Sequence, residues 1–197
     1  MKLVVSKDID KKVINDICNQ LNISDDVIYQ LQKSEETGSL VKIIGEIFEW
    51  HSLLKIALTA FMIEITREAA KDVYKNKVII LQTLKNSAVK PLKNIVKLIK
   101  RTKKECPTNT RIVICLPILD EIIGTELNIS DEAEIIIAWK LANYFYKADQ
   151  IKNFEIEYMR NSKYPMGKVY VEVNEDGSIL LQWFNKNDVG IQEKTIK

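Results

Sequence analysis

Residues 40–76 keep helical apolar spacing for longer than any other stretch of the chain, and within them Trp50–Ile63 is apolar on most faces. His51, Ser52, Lys55 and Thr59 are the exceptions, and they fall to one side. A helix apolar on most faces has to be buried in a core, at an interface or in a membrane. A membrane span needs about 20 nearly uncharged residues. Here Glu46, Glu49, Lys55 and Glu64 leave only the eight residues from Ile56 to Ile63 without a charge. The expectation is a long, largely buried central helix, with Lys42, Glu46 and Glu49 as a polar stripe near its start. A homo-oligomer interface through Trp50–Ile63 is the second reading. Membrane association through the apolar helix 43–65 is the third.

The segments around this helix mix two periods. Leu3–Val5 reads as a short strand, and Ile9, Val13, Ile14 and Ile17 are spaced for a helix. Ser24-Asp25-Asp26 suits the start of another helix reaching about Lys33. Arg111–Pro117 reads as a buried strand, and a short extended piece ends at Ile129. Ser130-Asp131-Glu132 is placed to cap a helix running to about Ala148. Beyond it the period shortens to two. Phe154, Ile156 and Tyr158 alternate with glutamates, Val169, Val171 and Val173 follow the same rule, and Asn174-Glu175-Asp176-Gly177 is a hairpin turn. The fold class is therefore α+β: several helices packed on a small, mainly antiparallel sheet with a C-terminal meander. A chain of 197 residues is most simply one domain. It is expected to span 1–185, with 186–197 a loosely ordered tail.

Leu21-Asn22-Ile23-Ser24-Asp25 recurs as Leu127-Asn128-Ile129-Ser130-Asp131, but the residues that follow diverge. Two independent helix caps explain the match better than a duplication.

Charge is segregated along the sequence. From Lys77 to Lys104 there are nine basic residues and no acidic one, so the formal +2 of the chain leaves −7 outside that segment. After Lys90-Pro91, at 100° per residue, Lys90, Lys93, Lys97, Lys100, Arg101 and Lys104 share an arc of about 100°. Ala88, Val89, Leu92, Ile95, Val96 and Ile99 lie opposite. One face should dock on the protein and the other should present cations. A plainly solvated face is the bland alternative. Nucleic acid would favour arginine and interleaved aromatics, and this helix has no aromatic. Nucleic acid would therefore be held through its backbone only, with steep salt dependence.

Little else suggests chemistry. The single histidine, His51, lies two positions from Glu49 and five from Glu46, whereas a shared helical face needs three or four. It reads as a packed residue. The six glycines are isolated, so no phosphate-cradling loop or dinucleotide fingerprint can be built. Asp120-Glu121 follows a strand but lacks the partners of a metal-dependent nuclease. Cys106 follows Lys103-Lys104, whose charges could lower a thiol pKa. No cofactor and no metal site is expected. Cys18, Cys106 and Cys115 are an odd, irregular set that suits a reducing compartment. The N-terminal residues meet a charge too early for a signal-peptide core, so the cytoplasm is the expected location. Abundant lysine and isoleucine, with AT-rich codons, fit a low-GC bacterial, phage or protist source.

These readings converge on a non-enzymatic interaction protein. Its lysine face (Lys90, Lys93, Lys97, Lys100, Arg101, Lys104) would dock an acidic protein surface or another polyanion. The rivals are an enzyme with an unrecognised site near Asp120/Glu121 or Cys106, and a membrane-associating protein using residues 43–65.

Overall fold

The structure, a computed structural model, describes residues 1–24, 28–31, 38–45, 47–68, 89–120, 123–129, 133–161, 168–185 and 190–197. Its strands are β1 (Lys2–Ser6), β2 (Ile28–Leu31), β3 (Leu40–Ile44), β4 (Arg111–Asp120), β5 (Ile123–Ile129), β6 (Lys168–Val173), β7 (Ile179–Asn185) and β8 (Gly190–Ile196). Its helices among the described residues are α1 (Lys11–Leu21), α2 (Ile47–Glu68), α3 (Lys90–Glu105), α4 (Glu134–Tyr146) and α5 (Ala148–Asn161).

The strands form one eight-stranded sheet in the order β2-β1-β3-β4-β5-β6-β7-β8. Neighbours β1/β2, β3/β4 and β5/β6 are parallel, and the other four pairs are antiparallel. Helices and a mixed, mostly antiparallel sheet place the protein in the α+β class, with a sheet larger than the small one expected. The meander is real but starts later, at β6, and runs through β8.

Four local expectations are corrected. Leu40–Ile44 begins no helix: it is a strand between β1 and β4, and its Leu-Val-Lys-Ile-Ile pattern satisfies either period. Ile28–Leu31 is an edge strand, where tertiary pairing with β1 overrides the helical spacing. Phe154 and its neighbours lie in α5 despite their alternation, and Phe154 packs on Trp183 with ring centroids 5.0 Å apart. Residues 190–196, expected to be loosely held, pair with β7 from Asn185↔Gly190 to Ile179↔Ile196. The two copies of the five-residue match also diverge. Asn22 ends α1 in the left-handed conformation at φ 53°, whereas Leu127–Ile129 is strand. Asp25, Asp26 and Ser130–Glu132 lie outside the described residues, and the N-cap of α4 is Ala133.

Strand alternation sorts the sheet into two faces. Leu3, Val5, Val41, Ile43, Ile112, Ile114, Leu127, Val169, Val171 and Leu181 join one hydrophobic cluster to which all five described helices contribute. Ile44, Val113 and Cys115 are also buried, but on the opposite face and outside that cluster. Of α2, Trp50, Leu54, Ala57, Leu58, Phe61 and Met62 are buried, while Ile56 and Ile63 are 77% and 57% exposed. No helix among the described residues is long and apolar enough to cross a membrane.

The β6–β7 turn is fastened to α4. Lys147 Nζ donates to Gly177 O at 2.6 Å, and Trp139 Nε1 donates to Asn174 O at 3.3 Å. Inside the turn Asp176 accepts from Ser178 Oγ at 2.6 Å and from its N–H at 2.8 Å. These bonds hold the Asp176 carboxyl below its usual range.

Candidate functional site

Helix α3 owes its shape to an uninterrupted amphipathic pattern. Pro91 sits in the first turn, where a missing N–H costs nothing. Leu92, Ile95, Val96, Leu98, Ile99 and Thr102 are buried against the core. Lys103 and Lys104 close the last turn, where the helix dipole favours positive charge. Lys103 Nζ also donates to the carbonyl of Thr110, tying the helix end to the start of β4.

On the opposite arc Lys90, Lys97, Arg101 and Lys104 are exposed, and Lys93 and Lys100 are partly exposed. From Lys90 to Lys104 this strip is about 21 Å long at 1.5 Å per residue. Its members differ in occupation. Arg101 reaches Asp16 of α1 at 2.6 Å and Glu105 at 2.9 Å. The Glu105 hydrogen bond, then the Asp16 and Glu105 charges, raise the guanidinium pKa further. Lys90, Lys93, Lys97 and Lys104 make no ion pair with a described residue. The arginine is thus committed to fastening α3 onto α1, and the outward field comes from lysines. Lys77 and Lys85 lie outside the described residues.

The proposed enzymatic groups do not form one site. Cys106 follows α3 and precedes the start of β4, while Asp120 ends that strand, roughly 30 Å away at strand rise. The Asp120 side chain and Glu121 lie outside the described residues, as does the His51 side chain. Cys106 is also no activated thiol. Burial first, then the charges of Asp8 and Glu105, push its pKa up to about 11 against the opposing effects of Lys103 and a Thr110 hydrogen bond. Lys103 does act to lower it, but partial burial and two carboxylates outweigh that charge. No group of three or more metal-ligating side chains occurs among the described residues.

Sequence reasoning missed a charged cluster on the face of the sheet opposite the core. Lys42 of β3, read as part of a helical stripe, instead reaches Glu126 of β5 at 2.6 Å, and Lys168 of β6 lies 3.5 Å from the same carboxylate oxygen. Burial disfavours the Lys42 charge. The neighbouring Cys115 sulfur and Glu126 more than compensate, so its pKa stands above the ordinary lysine value. The same face holds most of the large exposed apolar side chains: Tyr29, Leu31, Tyr170, Phe184 and Ile191. The only sequence signal for it was the alternation within β6.

No protein-family model matches this chain, and comparison with curated proteins and with solved structures finds no match. Function therefore has to be argued from the surface itself. The lysine strip and the exposed Tyr29, Tyr170 and Phe184 lie on opposite sides of the sheet, whereas exposed Tyr146 ends α4 on the helix side. A nucleic acid tracking the strip would find no aromatic within α3 itself for base stacking.

Proposed function

We propose that this protein is a non-enzymatic interaction module that docks an anionic partner through the lysine face of α3. One observation carries the reading: Lys90, Lys93, Lys97 and Lys104 project from one side of a helix whose only arginine is already neutralised by Asp16 and Glu105. A row of ammonium groups whose neighbouring carboxylates, Asp16 and Glu105, are taken up by Arg101 favours diffuse, salt-sensitive attraction over geometrically exact recognition. That suits an acidic protein surface or a polyanion contacted along its backbone.

The experiment is heparin binding by the full chain across a salt series, comparing wild type with the quadruple variant Lys90→Glu, Lys93→Glu, Lys97→Glu, Lys104→Glu. Wild type should bind with an affinity that falls steeply as salt rises, and the variant should lose at least tenfold at low salt. Arg101→Ala should change binding far less than Lys97→Ala. Equal binding by wild type and the quadruple variant, or a flat salt dependence, rejects the reading.

The separation of Cys106 from Asp120 along β4 supports a role other than catalysis. A cytoplasmic setting fits three cysteines that form no disulfide. The central-core role of α2 is supported by its buried Trp50, Leu54 and Phe61, which lie in the protein's own core. Ile56 and Ile63, exposed one heptad apart, favour a narrow oligomer contact as the residual role of its outer side.

A further inference from the structure

The two edges of the sheet are unlike. Edge strand β8 carries Glu193 and Lys194, charges of the kind that discourage pairing with another chain. Edge strand β2, Ile28-Tyr29-Gln30-Leu31, has no charge and no proline, and Tyr29 and Leu31 are 45% and 47% exposed.

The backbone of β2 shows which groups are available. Lys7 N donates to Leu31 O at 2.9 Å, so the Leu31 carbonyl faces β1. Strand residues turn their N–H and C=O to alternate sides. Tyr29 therefore also faces β1, while the N–H and C=O of Ile28 and Gln30 point off the sheet. No described residue pairs with them.

The side chains of Ile28 and Gln30 lie on the core face, as their register with Leu3 and Val5 requires. There, with Lys11, Ile14 and Asn15 of α1, they line an open cavity of about 300 Å³. Ile14 and Ile28 supply an apolar floor, and Lys11, Asn15 and Gln30 a polar rim. The two residues with outward backbone groups are thus the two that line the cavity from the strand side. Added strands use this combination, since backbone bonds give affinity and a pocket for alternate side chains gives specificity.

We propose that β2 receives an extended peptide from a partner protein, as an added strand whose apolar side chain fills the cavity and whose acidic side chain meets Lys11. The charge follows from the rim. Lys7, Lys11 and Lys12 are exposed here. Of the described acids between them, Asp10 is engaged as the N-cap, accepting from Lys12 N at 2.7 Å, and Asp8 accepts from Ser39 Oγ at 2.5 Å. An antiparallel second copy centred on Tyr29 would set Ile28 against Gln30 and turn both lysine rims to the same side of one sheet. The proposal does not depend on the lysine face of α3.

The test is selection of a displayed random dodecapeptide library on the full chain, followed by affinity measurement of the enriched peptides as dye-labelled synthetics. Enriched peptides should alternate apolar with other residues and include an acid. They should bind Gln30→Pro and Lys11→Glu at least tenfold more weakly than wild type. Gln30→Pro removes an outward N–H and leaves the β1–β2 bonds in place. Asn15→Trp fills the cavity from an exposed helix position and should weaken binding even if the proline variant misfolds. Failure to enrich any peptide, or equal binding to wild type and Asn15→Trp, overturns the proposal. A wild-type dimer that Gln30→Pro dissociates also overturns it, by assigning the edge to a second copy.

Discussion

Lys42 Nζ lies 2.6 Å from Glu126 Oε1, although Lys42 belongs to β3, Glu126 to β5, and β4 runs between them. The lysine has to cross a whole strand to reach its partner. Both side chains are largely buried, at 15% and 9% exposure, and Lys168 approaches the same oxygen at 3.5 Å. Breaking such a pair leaves a poorly solvated charge. Glu126→Gln should therefore cost roughly 2–4 kcal/mol, somewhat less than for a fully buried pair because Lys42 keeps some solvent. Lys42→Met should cost less, because Glu126 keeps Lys168. Urea unfolding of the two variants checks the order, and equal losses would contradict it.

The same pair sets a dependence on alkaline pH. The folded-state pKa of Lys42 is raised above its ordinary value of 10.5. Its charge therefore contributes stability that is fully present below about 10.5 and is lost as pH rises through the folded value. The wild-type melting temperature should fall more steeply above that pH than that of Lys42→Met. Parallel curves for the two proteins would remove Lys42 as the cause.

Cys106 should react slowly. With its pKa near 11, on the order of one thiol in a thousand is ionised at pH 8. Iodoacetamide labelling followed by mass spectrometry should show modification of Cys106 well below that of an unfolded control at pH 8. The rate should rise toward pH 11. Rapid labelling at neutral pH would contradict the buried, carboxylate-flanked environment.

Gly177 is fixed by geometry and by space. Its φ is +81°, and a Cβ there would stand 2.7 Å from Asn143 Oδ1 and 3.0 Å from Trp139. Gly177→Ala should destabilise the protein by about 1–3 kcal/mol, from backbone strain and displacement of the turn from α4. The urea midpoint gives the measurement. A loss within error of zero would show that the turn relaxes freely.

Much of the fold was legible where one period ruled a segment. The apolar arc of α3, the strand Ile112–Leu116 and the β6–β7 turn each depend on neighbours within a few residues. Legibility failed where short segments satisfied two periods at once. Leu40–Ile44 fits a helix until β1 and β4 enclose it, and Ile28–Leu31 is strand only because β1 accepts it. The candidate site divides the same way. The lysine arc is a property of one helix and could be drawn from its sequence. The Lys42–Glu126–Lys168 cluster and the cavity beside β2 exist only through strand register, which brings together residues distant in the chain.

The parallel pairing of β3 with β4 joins Leu40–Ile44 to Arg111–Cys115, with residues 45–110 intervening. Closing so long a loop is entropically unfavourable until the contacts it permits have formed. The β6–β7 hairpin closes across a turn of a few residues and bears no such cost. Assembly should therefore run from the C-terminal meander toward the N-terminal strands. In pulse-labelled hydrogen exchange, amides of β6 and β7 should be protected before those of β3. The joining of β3 to β4, inside the finished sheet rather than at its edge, is then a late step in making it.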